Sequence, residues 1–286
     1  MSGLQPTAAS VVVQPTACWD FPEGGFFPGL PPVGPTIDPM LNGIEAMARQ
    51  FLAAQPWFAS LPADEQARLH AEVNTFTARK GEVLLPQGQR ADGWYAVLSG
   101  LVLLESESEG NRRSAFIGMP DGEWFGEGSA LKNEPRRYNV VALRDTWLLC
   151  LPQAAFQRLQ AQHLPFNQFL VQHLNMRLGQ AMTLIETGRL RSPDQRVALY
   201  LSRQFWRSTR QLYITQDELG KLVGLSRQTV NRVLRSLAQL GIVALDHGRV
   251  RIRCDQALSR FLAGEPPMEA SSAVAPPASA AQDTEA

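Results

Sequence analysis

The sequence predicts an α+β chain with an N-terminal strand-rich module, a long helix and a C-terminal winged helix-turn-helix. Three observations carry that expectation. Short segments rich in β-branched and aromatic residues recur from 76 to 151, separated by Gly, Pro and Asp, which suits a sandwich or a rolled barrel. From about 153 to 190 the apolar positions switch to spacings of three and four. Residues 192–262 then hold capped helices across a glycine, followed by a hairpin pattern.

The 286 residues suffice for one large or two ordinary domains. Residues 1–42, as in "FPEGGFFPGLPPVGPTIDP", are predicted to be a disordered arm, in which Trp19, Phe21, Phe26 and Phe27 have no evident docking site. Residues 263–286 are predicted to be a second flexible tail. Residues 43–152 form the strand module with short flanking helices. There "LPADEQARLHAEV" places Leu61, Ala67, Leu69 and Val73 as apolar positions, with Pro62 near a helix start. The strand segments are "EVLLPQGQ", "GWYAVLSGLVLLES", "SAFIGMPDGEWFG" and "RYNVVALRDTWLLCLP".

Residues 153–191 make the long helical region. Phe166, Leu170, Leu174, Leu178, Ala181 and Ile185 form one stripe, which Phe169, Met176 and Met182 broaden. A stripe of this length must be covered, either by its own domain or by a second copy of the chain, and the dimer seam is the favoured reading.

The module at 192–262 begins with Ser192 as N-cap and Pro193 at the first helical position. Val197, Leu199, Tyr200, Leu201 and Phe205 supply its apolar face. Thr215 and Glu218 have capping-box spacing, and Leu219, Leu222 and Val223 face inward. Gly224 permits a sharp turn, and Ser226 caps the next helix. On that helix Val230, Val233, Leu234 and Leu237 fall on one side, and Arg227, Gln228, Asn231, Arg232 and Arg235 on the other. "IVALDHGRVRIR" reads as a hairpin wing turning at His247-Gly248, with Arg249, Arg251 and Arg253 alternating along its second strand.

The chain has zero net charge, but the 192–262 segment holds 12 Lys/Arg against 5 Asp/Glu. A basic module beside an acidic remainder suits a polyanion partner. An arginine fork matches guanine O6/N7 and a glutamine amide matches adenine N6/N7, so the polar face of 227–235 reads as a base-reading surface. The wing arginines suit phosphates. Cys18, Cys150 and Cys254 form no pair with metal spacing, which argues for a reducing compartment. No apolar run has membrane-spanning length and no secretory signal is evident, so a cytoplasmic location is expected. No HExxH, P-loop or nucleophile–base pair supports an enzyme.

"ITQDELGKLVGLSRQTVNRVLRSLAQLGIV" resembles the winged helix-turn-helix of the Crp–Fnr superfamily. Upstream, "KGEVLLPQGQRADGWYAVLSGLVLL" is similar to that family's sensor domain, with Gly81, Gly88 and Gly100 at its turns, and "FGEGSALKNEPRRYNVVAL" to its phosphate-binding cassette. The resemblance covers about residues 50–262. It implies an N-terminal β-roll of the cyclic-nucleotide-binding type, a dimerising helix and a DNA-binding domain. The implied partners are double-stranded DNA, a second copy of the chain and RNA polymerase.

In the cassette itself, Gly126, Gly128 and Ser129 make a small-residue turn able to present N–H groups to an anion, and Arg136 and Arg137 follow on the next strand. The resemblance carries the ribose-binding role onto Glu127 and the cyclic-phosphate role onto Arg137. Three positions depart from the cyclic-AMP pattern. Tyr138 stands where a small hydroxyl residue is usual, Asn139 replaces a small residue, and the family's adenine-contacting hydroxyl pair falls on Ala181 and Met182. The alternatives are a cyclic nucleotide, another small anionic effector, or no ligand, with Glu127 and Arg137 paired to each other. An iron–sulfur sensor lacks its thiolates, and His70, His163 and His173 read as ordinary helix residues rather than haem ligands.

The candidate DNA-contacting residues are therefore Thr215, Ser226, Arg227, Gln228, Thr229, Asn231, Arg232, Arg235 and Arg249. The candidate effector residues are Gly126, Glu127, Gly128, Ser129, Arg137 and Tyr138. A reading from another class is a small-anion or cyclic-nucleotide sensor or scaffold that does not act through DNA; salt-dependent binding to palindromic DNA separates the two.

Overall fold

The computed structural model describes residues 41–108, 112–190, 192–207, 211–246 and 249–265. The aromatics of the N-terminal arm, the C-terminal tail beyond 265, Arg191 and the His247-Gly248 turn lie outside the described residues.

Three helices lead: α1 (Leu41–Ala53), α2 (Pro56–Ala59) and α3 (Ala63–Glu72). Pro62 stands at the N-cap of α3. Leu61 and Leu69 are buried, but Ala67 is exposed, so the apolar face is narrower than its spacing predicts.

The strand module follows as β1 (Asn74–Ala78), β2 (Val83–Leu85), β3 (Gly93–Ser99), β4 (Leu101–Ser108), β5 (Arg112–Pro120) and β6 (Trp124–Phe125). After these come the short helix α4 (Glu127–Lys132), then β7 (Asn139–Ala142) and β8 (Thr146–Pro152). The strands form two four-stranded antiparallel sheets, ordered β1-β8-β3-β6 and β2-β7-β4-β5. This is the rolled sandwich that the regular strand spacing predicts. Gly100, between β3 and β4, has φ of 122°, and a Cβ there would lie 2.4 Å from the Thr146 hydroxyl oxygen. Only glycine fits that turn.

One core of the roll is aromatic. Trp94 and Trp124 stack with centroids 4.2 Å apart. Trp57, Phe156 and Phe166 close around them, all at most 1% exposed.

The region 153–190 is two helices, α5 (Gln153–Gln162) and α6 (Leu164–Leu190), not one. The break falls at His163, which is extended (φ −122°, ψ 104°). Its cause is Pro165, which lacks an N–H and can be accommodated only in the first turn of a new helix. The apolar stripe also divides. Phe166, Phe169 and Leu170 are buried in the roll's own core, whereas Leu178, Met182 and Ile185 are 58–64% exposed, as is Val171, a residue outside the predicted stripe, at 65%.

The C-terminal module comprises α7 (Pro193–Tyr200), β9 (Gln211–Leu212), α8 (Gln216–Val223), α9 (Arg227–Gln239), β10 (Val243–Asp246), β11 (Arg249–Ile252) and α10 (Asp255–Ala263). β10, β11 and β9 pair as an antiparallel wing. Val230, Val233, Leu234 and Leu237 are all at most 1% exposed, each burial stabilising by about 1.5–3 kcal/mol. The core of this module continues into the roll through Leu101, Leu103 and Leu143. At that junction α8 lies so close to β5 that a Cβ on Gly118 would fall 2.6 Å from the Leu222 side chain.

Candidate nucleic-acid interface and sensor pocket

Local chemistry builds the helix-turn-helix. The Thr215 hydroxyl accepts from the Glu218 N–H (3.2 Å) while the Glu218 carboxylate accepts from the Thr215 N–H (2.7 Å), which completes a capping box at the start of α8. Gly224 ends α8 in the left-handed region at φ 66°. The Arg196 guanidinium of α7 donates to the Val223 carbonyl, placing a cation at the C-terminal end of α8. Ser226 then caps α9, its oxygen accepting from the Thr229 N–H (3.2 Å).

These caps fix the exposed face of α9. An open groove of about 770 Å3 is lined by Gln216, Arg227, Gln228, Asn231, Arg232 and Arg235, so five of the predicted DNA residues share one surface. The Asn231 side chain donates to the Gln216 side-chain amide oxygen, Oε1 (2.8 Å). Arg232 meets Asp194 of α7 (Nη2–Oδ1 2.8 Å). Among the described residues Arg227 and Arg235 have no acidic partner. Of the other candidates, Thr215, Ser226 and Thr229 spend their hydroxyls on the caps. Arg249 lies over the Tyr213 ring at 4.5 Å, a cation–π contact that holds it on the wing. Sequence reasoning misses Gln216, which lines this groove, and Asp194, which pairs with Arg232 beside it. Their only sequence signal is a place in the first turn of a helix.

The sensor cassette is arranged differently from expectation. Arg136 and Arg137 lie in the loop before β7 rather than on a strand. Arg137 points outward, its side chain 78% exposed, with Nη2 3.4 Å from Glu134. The inward arginine is Arg136, 6% exposed. It donates to the Tyr95 hydroxyl (2.8 Å) and to Asp92 (3.3 Å) and lies over the Tyr95 ring.

Glu127 does not pair with Arg137. It turns back to α6, where its Oε2 is 3.6 Å from Nε2 of buried His173. Burial opposes ionisation of Glu127, but His173 and Arg177 outweigh it and hold the carboxyl below its ordinary pKa. Beside it, Glu123 accepts from Arg177 (2.9 Å) and from Arg207 (3.3 Å). Burial works against its charge too, and the two guanidiniums again prevail, lowering its pKa.

The space between Arg136, Gly126, Ser129, Tyr95 and Tyr138 amounts to about 10 Å3, room for one water and not for a nucleotide. Tyr138 is half-buried, and the desolvation of its hydroxyl raises its pKa. Of the candidate effector residues, Gly126, Ser129 and Tyr138 line this space; Glu127, Gly128 and Arg137 do not. Among the described residues no group of three or more His, Cys, Asp or Glu could hold a metal ion. No described helix is long and apolar enough to cross a membrane.

Comparison with known proteins agrees with this layout. Residues 75–163 match the cyclic nucleotide-binding domain and residues 195–261 the Crp-like helix-turn-helix domain. The "Cyclic AMP receptor protein" of Thermus thermophilus is 33% identical over 180 residues, covering 61% of this chain and 81% of that protein. The chain belongs to the Crp–Fnr superfamily of transcription regulators. "Transcriptional regulator SdrP" of the same organism is 32% identical over 188 residues, covering 62% of this Crp–Fnr chain and 89% of the relative. Among solved structures, FixK2 from Bradyrhizobium japonicum superposes with a TM-score of 0.57 at 21% identity, covering 66% of this regulator and 96% of that chain. At that identity the likeness concerns the fold alone. The relatives are transcription regulators, not enzymes, and the module carrying α8 and α9 is the DNA-binding module of such regulators.

Proposed function

We propose that this Crp–Fnr regulator binds operator DNA as a homodimer through α9. The observation that carries the reading is the groove along α9. Arg227, Gln228 and Arg232 stand exposed there on a helix whose opposite face is fully buried. Side chains at the N-terminal end of such a helix reach base edges in the major groove. Arg227, Gln228 and Arg232 read bases, whereas Thr215, Ser226, Thr229, Asn231, Arg235 and Arg249 position the backbone.

The dimer is supported by α6. Leu164, Val171, Leu178 and Ile185 recur every seven residues and are all more than half exposed, the pattern of a coiled-coil seam awaiting a second copy. Two α9 helices about this axis would meet half-sites one helical turn apart, about 34 Å.

The inward Arg136, which would exchange its Asp92 contact for a ligand, supports a small anion as the effector class. A cyclic nucleotide could enter the roll only after Tyr138 swings out and Glu127 leaves His173. Effector entry would bias two arrangements of the DNA heads, a shift of populations.

Selection of bound duplexes from a random pool, with and without cyclic AMP, tests these points. The expected result is a palindromic site. Absence of any preferred sequence, with affinity that does not fall as salt rises, would instead favour a sensor or scaffold that ignores DNA.

A further inference from the structure

Arg232 stands apart from the other arginines of α9. Its two terminal nitrogens both face the Asp194 carboxylate, Nη2–Oδ1 at 2.8 Å and Nη1–Oδ2 at 3.5 Å. Asp194 itself sits in the first turn of α7, where the Ser192–Gln195 capping box fixes the backbone. A carboxylate is favoured at that end of a helix, and its short side chain has little freedom to leave. An acidic group has thus been placed on the rim of a surface otherwise built to meet a polyanion.

We propose that Asp194 is a specificity-determining positioning residue of the DNA surface, which orients the Arg232 fork for one base and opposes its use on backbone phosphate. The inference rests on α9 being the reading helix. End-on pairing with Asp194 leaves the side edge of the guanidinium free to donate to guanine O6/N7. A base contact of that kind keeps the Asp194 pair intact.

On non-specific DNA the only anion within reach is phosphate. Arg232 must then either leave Asp194, which leaves a carboxylate facing the duplex, or bring it along as a neutral pair. Both outcomes weaken non-specific binding more than specific binding. Specificity is that difference, and a repulsive element raises it as effectively as an attractive one.

The test compares the wild-type chain with Asp194→Asn, Asp194→Glu, Arg232→Ala and the Asp194→Asn/Arg232→Ala double variant. Each is titrated with its selected operator, with every single-base-pair change in one half-site, and with scrambled duplex, across a salt series. An ion pair whose arginine is 61% exposed is worth at most about fivefold in an equilibrium. Asp194→Asn is expected to tighten scrambled duplex about fivefold and to steepen its log–log salt slope by about 0.9. Operator affinity should change less than about threefold, and discrimination should fall at a single base pair, the one that Arg232→Ala also relaxes. Asp194→Glu, which keeps the charge, should restore most of that discrimination. In the Arg232→Ala background, Asp194→Asn should leave the base profile unaltered.

Equal affinity gains on operator and scrambled DNA, an unchanged salt slope, or discrimination lost evenly at all positions would each overturn the role of Asp194. If the wild-type chain does not distinguish operator from scrambled duplex, the reading of α9 fails instead. Thermal unfolding of Asp194→Asn identifies a folding defect, and the cycle with Arg232→Ala then still reports the coupling.

Discussion

Truncating Arg144 to alanine is expected to loosen the DNA-binding module from the β-roll. Arg144 follows β7, and its guanidinium grips Glu218 of α8 through two bonds, Nε–Oε1 at 3.2 Å and Nη2–Oε2 at 2.9 Å. The Glu218 side chain is 6% exposed and that of Arg144 28%. Removing one partner of a fully buried pair costs about 3–5 kcal/mol, because the other charge is left without compensation. Two features reduce that here. The Arg144 end is partly solvated, and Glu218 keeps its bonds from the Thr215 N–H and hydroxyl. About 2 kcal/mol remains, in the range of charge-assisted hydrogen bonds.

The cost should fall on the contact between modules, where Leu222 meets Gly118. Urea denaturation at neutral pH reads the global loss, and amide exchange reads α8 and β5 separately. Faster exchange in both elements with little change in β1 or β8 is expected. A loss below about 0.5 kcal/mol with unchanged α8 protection would refute the docking of α8 on β5 through this pair.

Glu123→Gln should cost about 3 kcal/mol, since Arg177 and Arg207 lose their shared carboxylate and Arg177 is largely buried. The Glu123 pKa is lowered, so its contribution is present above the ordinary carboxylate range and is lost as pH falls through the folded value; acid titration of stability should therefore be flatter in Glu123→Gln. Leu178→Glu puts like charges face to face along the proposed seam and should give monomers by sedimentation, with operator affinity at least about a hundredfold weaker. Leu234→Ala, at 1% exposure, should cost about 2–5 kcal/mol by chemical denaturation. Tyr138→Ala combined with His173→Ala enlarges the 10 Å3 space beside Arg136 and frees Glu127, and should bring measurable cyclic-AMP binding by calorimetry; an unchanged heat would contradict Arg136 as an effector contact.

Local signals make the helix-turn-helix legible in the amino-acid sequence. Thr215 with Glu218, Gly224, and Ser226 are each decided within four residues of chain, and the buried stripe of α9 follows from its period. The β-roll is legible for the same reason, with turns at Gly81, Gly88 and Gly100 that all adopt positive φ. Whatever depends on distant partners is not legible. Glu127 meets His173, a residue 46 positions away on α6, and no periodicity encodes that. Which half of the α6 stripe is buried depends on the Trp94–Trp124 stack beneath it. The break at His163 does have a signal, Pro165, which the continuous apolar spacing masks. The inward turn of Arg136 rather than Arg137 follows from the Tyr95 hydroxyl that receives it, and adjacent arginines look alike in a sequence.

Methylation interference at guanine N7 tests the central claim most directly, because N7 lies on the floor of the major groove, where the first turn of α9 is placed. With the selected operator, methylation of one or two guanines in each half-site should block binding by the wild-type chain, and Arg227→Ala should lose that sensitivity at one of them. Binding that is indifferent to N7 methylation throughout both half-sites would contradict a base-reading α9.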